Sequence, residues 1–178
     1  MVTGHVFIAT SLDGFVARDD HTLDWLMKQP QPADDDGGYA ALMAEMDGLV
    51  MGAGSFRTVL GFGQWPYEKP VVVMSRSLAE ADIPEDLRDK VRLSRLSPRD
   101  LMQDLFAQGW KRAYVDGGQL VQSFLRDGLI AEMKITLIPI LLGSGIRLFG
   151  PLEADIDLEL IGSRPIGDAM QQMHYRVT

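Results

Sequence analysis

Three apolar runs end in small polar residues. Met51 leads into Gly52-Ala53-Gly54-Ser55, Met74 into Ser75-Arg76-Ser77, and Val115 into Asp116-Gly117-Gly118-Gln119, with Leu120 next. If these runs are strands of one open parallel sheet, their carboxyl ends share an edge, and ligands bind at that edge. Glycine lets a backbone approach a ligand closely. The first turn of a helix offers unpaired N–H groups and the positive end of its dipole. Two such turns side by side can hold the pyrophosphate of a dinucleotide. The spacing departs from the Rossmann fingerprint, because Arg57 occupies the third glycine position and no acidic residue ends the next strand. That strand ends instead in Ser75-Arg76-Ser77. A cation with two hydroxyls suits a 2′-phosphate and favours NADP over NAD.

Each position also has a plainer reading. Taken alone, Gly52-Ala53-Gly54 is a tight strand-to-helix turn, and Arg76 is equally a solvated loop residue. Asp13, ahead of Gly14, is a candidate substrate-binding carboxylate or simply a turn residue. Asp34, Asp35 and Asp36 read as a solvated loop ending as a helix N-cap. Trp25 is core or stacking platform, and Thr136 is compatible with a plain ladder residue on a β-branched strand. His174 reads as an exposed strand residue, and Met43 and Met46 as core filler. The three turns in combination carry more than any one of them.

The elements that position these residues follow from apolar periodicity and breakers. Strands are expected over residues 6–9, 49–51, 71–74, 91–93, 113–115 and 133–137. Helical spacing covers 39–46, 55–60 (ended by Gly61 and Gly63) and 120–126, with a short turn over 23–27. Ser97-Pro98-Arg99-Asp100 is a helix start, with Ser as N-cap, Pro in the first position and Asp in the first turn; Gly109 closes that helix. Residues 29–38 read as a loop, and 139–150 as a glycine-rich connection. Residues 158–163 and 170–177 form a closing antiparallel pair around Ile166-Gly167-Asp168. In the last strand Met173, Tyr175 and Val177 alternate with Gln172, His174 and Arg176. The pattern predicts one α/β domain over residues 1–178: a mostly parallel sheet, helices on both faces, and an antiparallel C-terminal edge.

Bulk chemistry narrows the function. The length of 178 residues suits one domain with a sizeable core. A formal charge of −8, with no run of Lys or Arg, argues against nucleic acid as a partner. There is no cysteine, which excludes disulfides, thiol nucleophiles and zinc–thiolate sites. His5, His21 and His174 are far apart in sequence, so no metal is expected. Neither a signal peptide nor a membrane span is expected, and the cytoplasm is the expected location.

Four motifs taken together carry a family resemblance. They are Ser11-Leu12-Asp13-Gly14; Val50-Met51-Gly52 with Ser55-Phe56; Val115-Asp116-Gly117-Gly118 with Leu120 and Phe124-Leu125; and Ile138-Pro139-Ile140-Leu141-Leu142-Gly143-Ser144-Gly145 with Leu148-Phe149. As a set the chain resembles the reductase domain of bifunctional riboflavin-biosynthesis proteins and its stand-alone relatives in the dihydrofolate reductase superfamily. The resemblance implies a dihydrofolate reductase-like three-layer α/β/α fold, with NADPH across the carboxyl edge of the sheet. The turn over Gly52, Ala53, Gly54 and Ser55 would hold phosphate. Ser75, Arg76 and Ser77 would meet the 2′-phosphate. Gly117, Gly118, Gln119 and Leu120 would meet pyrophosphate and nicotinamide, with Ala9 bordering the latter. Substrate would lie near Asp13, Trp25, Asp116 and Thr136, with Asp13, Asp116 and Thr136 as the candidate catalytic residues, Trp25 as substrate-binding, and Asp36 matching the acidic residue that orients a pterin. Lys69 falls near the arginine that grips the folate tail, but it lacks a bidentate fork. The implied activity is NADPH-dependent reduction of a pyrimidine- or pterin-like compound, as in 5-amino-6-(5-phosphoribosylamino)uracil reductases. The alternatives are dihydrofolate reduction or a nucleotide-binding sensor without turnover. A homodimer is expected.

Overall fold

The computed structural model describes residues 1–178 apart from Gln31 and Ala33, two positions of the loop expected over 29–38. The chain begins with β1 (Thr3–Ser11) and β2 (Phe15–Ala17), then α1 (Tyr39–Glu45) and β3 (Gly48–Gly52). Next come α2 (Ala53–Leu60), β4 (Val71–Met74), β5 (Val91–Ser94), α3 (Pro98–Ala107) and β6 (Arg112–Asp116). It closes with α4 (Gly118–Arg126), β7 (Ile130–Ile138), β8 (Ile146–Arg147), β9 (Leu158–Ile166) and β10 (Met170–Val177).

Eight strands form one sheet in the order β5-β4-β3-β6-β1-β7-β10-β9. The first six run parallel; β10 is antiparallel to both β7 and β9. The central strands are apolar along their length because both faces are covered. On one face Leu49, Met51, Val71 and Val73 pack against Phe56 of α2 and Leu42 of α1. On the other, Val50, Val72 and Val115 pack against Leu101 and Leu105 of α3 and Val121 and Phe124 of α4. The result is the three-layer α/β/α arrangement. Ser97 caps α3 as expected, its hydroxyl accepting from Asp100 N at 3.2 Å.

Two short strands lie where no strand was expected. β2 and β8 pair as an antiparallel ribbon. They are three and two residues long, too short to show periodicity. Their pairing depends on backbone closeness: a β-carbon on Gly145 would lie 2.3 Å from Ala17 O, and Leu148 N donates to Gly14 O at 3.0 Å. α2 begins at Ala53 rather than 55, and β9 runs on to Ile166. Among the described residues no helix is long and apolar enough to cross a membrane.

Candidate active site

The strand order reverses between β3 and β6. From β3 the chain moves outward to β4; from β6 it moves past β1 to β7. The helices that follow, α2 and α4, therefore lie on opposite faces, and the carboxyl ends of β3 and β6 open a crevice. Met51 pairs with Asp116, so the two glycine turns begin side by side. A cleft of about 780 Å³ lies there. This is within the range of ligand sites of about 300–1,000 Å³.

The cleft brings together most of the residues singled out from the sequence. Gly52, Ala53, Gly54 and Ser55 line it, as do Ser75 and Arg76. Asp116, Gly117, Gly118, Gln119 and Leu120 form another wall, and Ala9 and Trp25 border it. Neither Gly52 before α2 nor Gly117 before α4 gives its helix a side-chain cap. The first-turn amides thus lack the usual partner and are available to an anion. No atom lies within 4 Å of where a β-carbon of Gly52 would be, so the turn presents bare backbone. Gly117 has φ 101°, and a β-carbon on Gly118 would lie 2.4 Å from Arg147 O. Neither position admits a side chain without displacement. Ser75 has a local duty as well, its hydroxyl accepting from Ser77 N at 3.2 Å and Leu78 N at 3.0 Å.

Asp116 ends β6 at the centre of the cleft edge. Burial pushes its carboxyl up from the ordinary range, while the Ser55 and Tyr114 hydroxyls and the Gly117 amide pull it partly back. Tyr114 is buried and donates to Phe7 O at 2.9 Å; its oxygen lies 3.4 Å from Asp116 Oδ1. A carboxyl raised in this way is a candidate proton donor.

Four of the singled-out residues lie outside the lining of the cleft. Asp13 accepts from the Ser11 hydroxyl at 2.6 Å, Leu142 N at 3.1 Å and Gly143 N at 2.8 Å. These bonds pull its carboxyl down to about 2. Asp36 accepts from Gly38 N and Ala40 N, each at 2.7 Å, at the start of α1. Thr136 neighbours Ala9 in the parallel ladder and accepts from Gln172 Nε2 at 3.2 Å. Ser77 lies beyond the turn that Ser75 closes.

Among the lining residues not singled out as site residues from the sequence are His21, Arg57 and Tyr67. His21 has φ 67°, unusual for a side-chain-bearing residue, and its ring presses on Gly54. Tyr67 borders the cleft, and burial followed by the Asp116 charge raises its hydroxyl well above the ordinary value. Its only sequence signal is the aromatic pair in Trp65-Pro66-Tyr67, within an otherwise polar loop. Lys69 also departs from its expected match, because its Nζ donates to Met46 O and Ala44 O beyond and within α1.

A sheet of this order, with a cleft at its reversal point, defines a dihydrofolate reductase-like α/β/α protein. The chain belongs to the RibD C-terminal domain family, whose model matches residues 3–172. It is similar to a putative riboflavin biosynthesis protein from Shewanella sp. PV-4, with 44% identity and a TM-score of 0.93 over 99% of both chains. It is 31% identical to the uncharacterized protein YwjB of Bacillus subtilis (strain 168), over 96% of this chain and 95% of that one. The Thermotoga maritima diaminohydroxyphosphoribosylaminopyrimidine deaminase/5-amino-6-(5-phosphoribosylamino)uracil reductase shares the fold, with a TM-score of 0.74 at 14% identity. The match covers 99% of this chain but 57% of the Thermotoga one, so this chain spans little more than half of that protein.

Proposed function

We propose that the protein is an NADPH-dependent reductase of a pyrimidine- or pterin-like small molecule. The observation that carries this reading is the juxtaposition of two uncapped glycine turns and Arg76 around one cleft that also holds Asp116. Gly52 to Ser55 and Gly117 to Leu120 would bind the pyrophosphate through backbone amides, and Arg76 the 2′-phosphate. Bound NADPH would supply the hydride. Asp116 would hold the proton that the reduced substrate takes up, and Trp25 and Tyr67 would enclose the substrate ring away from water. Membership of a family that includes riboflavin-pathway reductases supports the reaction class.

The test has two stages. NADPH is titrated while tryptophan fluorescence and thermal unfolding are followed. Saturable quenching and a raised Tm are expected, and the lack of both would refute the reading. A panel of pyrimidine and pterin substrates is then assayed by NADPH absorbance. Cofactor binding without oxidation by any member would favour a sensor without turnover. We also propose a homodimer. It is supported by β9, an outer strand whose Leu158 and Leu160 are exposed, and sedimentation measures it.

A further inference from the structure

Resting on that reading, we infer that the substrate is an uncharged ring compound without a phosphate or carboxylate tail, and that an acceptor atom on it pairs with Nε1–H of Trp25. Two independent observations lead there. The first is where the cleft keeps its basic side chains. His21, Arg57 and Arg76 line it, and all three stand beside α2 or the end of β4, the nucleotide end. Toward the other end Ala9, Trp25, Leu26 and Tyr67 line the cleft with Asp116, which contributes a carboxyl and no counter-charge. An anionic tail there would meet no cation among the described lining residues, and its charge would also oppose any ionisation of Asp116.

Neighbouring cations are committed elsewhere. Lys69 donates to Met46 O and Ala44 O. Arg164 grips Asp35 through two bonds of 2.8 and 2.9 Å, and Arg18 grips Asp24 through two of 2.5 and 2.9 Å. The Arg147 guanidinium sits 4.5 Å from the centre of the Phe15 ring. Lys134 shares a sheet face with Thr136 but does not line the cleft.

The second observation is an unmade hydrogen bond. Trp25 is 0% exposed and borders the cleft, yet its Nε1 has no partner among the described residues. A buried donor left unpaired is costly, and an acceptor brought by a ligand removes that cost. The indole of Trp65 is also unpaired, but it packs on Phe56 and Tyr67 outside the lining of the cleft. A carbonyl oxygen or unprotonated nitrogen of a pyrimidine or pterin ring is an acceptor of the required kind.

Calorimetric titration of the NADP⁺-loaded protein tests both parts. The probes are matched pairs: 5-amino-6-ribosylaminouracil against its 5′-phosphate, and 7,8-dihydropterin against 7,8-dihydrofolate. The uncharged member of each pair is expected to bind about tenfold more tightly, with little dependence on salt. Tighter binding of the phosphate or of dihydrofolate overturns the inference, and loss of that advantage in Lys134→Met would locate the tail. Binding of neither member of either pair also overturns it. Trp25→Phe keeps the packing and removes the donor. It is expected to weaken the uncharged ligand about tenfold and leave NADPH affinity unchanged. An unchanged substrate Kd in that variant overturns the Trp25 assignment. Failure of NADPH itself to bind would refute the reductase reading, and this inference with it. Preference for the charged ligand with NADPH binding intact refutes this inference alone.

Discussion

A β-carbon on Gly117 would lie 2.7 Å from the hydroxyl oxygen of Ser55. The turn that opens α4 is thus closed against the first turn of α2, and the two halves of the proposed pyrophosphate cradle fix each other's position. Gly117 also sits at φ 101°, where a side chain is strained whatever space it finds. Gly117→Ala is expected to cost about 1–3 kcal/mol and to weaken NADPH by more than tenfold. Ser55→Ala in the same chain clears the contact but leaves the backbone strain. The double variant should therefore regain part of the lost Tm and not all of it. Full recovery in differential scanning calorimetry would mean that crowding alone forbids the methyl group.

Asp116 gives a pH signature. Its folded pKa is raised, chiefly by burial, so the folded state prefers the protonated carboxyl. The stabilisation from that preference is fully present below the ordinary aspartate range and is lost as pH rises through the raised value. Asp116→Asn keeps the shape and cannot ionise. Its Tm should therefore vary less than that of the wild type across that interval. If Asp116 donates the proton, kcat of the wild type falls as pH climbs past the same ionisation. The Asn variant should lose this alkaline limb together with about 10²-fold or more of kcat. An unaltered pH–rate profile in the variant would assign the proton to water.

Arg76 is exposed beside Ser75 at the end of β4. A charge-assisted hydrogen bond is worth about 1.5–3 kcal/mol, so Arg76→Ala should weaken NADPH by about 10- to 100-fold. NADH lacks the 2′-phosphate and should lose no more than about threefold. Equal losses for the two cofactors, measured by fluorescence titration, would remove Arg76 from the 2′-phosphate site.

What could be read in the sequence separates by range along the chain. The runs at Met51, Met74 and Val115 announce buried parallel strands, and the small residues after them announce turns, because both signals are local. The sheet order that makes those turns neighbours is not in those local signals, because it is set by long-range strand pairing such as Met51 with Asp116. The β2–β8 ribbon escaped because its pairing rests on Gly145 and Ala17, distant in sequence, and not on any pattern within either strand. Tyr67 escaped because an irregular segment between Gly63 and Pro70 has no periodicity to say which way a side chain points. His21 escaped because its left-handed backbone is set by its turn with Arg18, where His21 N donates to Arg18 O, and by contact with Gly54. Asp13 illustrates the converse: its Asp-Gly context gave the turn correctly, while its partners are 129 and 130 residues away.

Those distant partners make Asp13 the anchor of the connection between β7 and β8. Its carboxylate accepts from Ser11, Leu142 and Gly143, and the bonds hold its pKa at about 2 instead of the usual 3.8. A depressed acid stabilises the fold above its ordinary pKa, and the contribution is lost as pH falls toward the folded value. Wild-type Tm should therefore carry a component that declines from about 3.8 to about 2, absent from Asp13→Ala. At neutral pH the Ala variant should have a lower Tm, and the Leu142 and Gly143 amides should exchange hydrogen faster. Asp13→Asn keeps one acceptor oxygen and should fall between the two. Asp13 follows β1, the strand that carries Ala9 into the cleft, so loosening this anchor is expected to raise the KM for NADPH more than it lowers kcat. Loss of kcat with unchanged Tm and unchanged exchange would instead make Asp13 a participant in the chemistry.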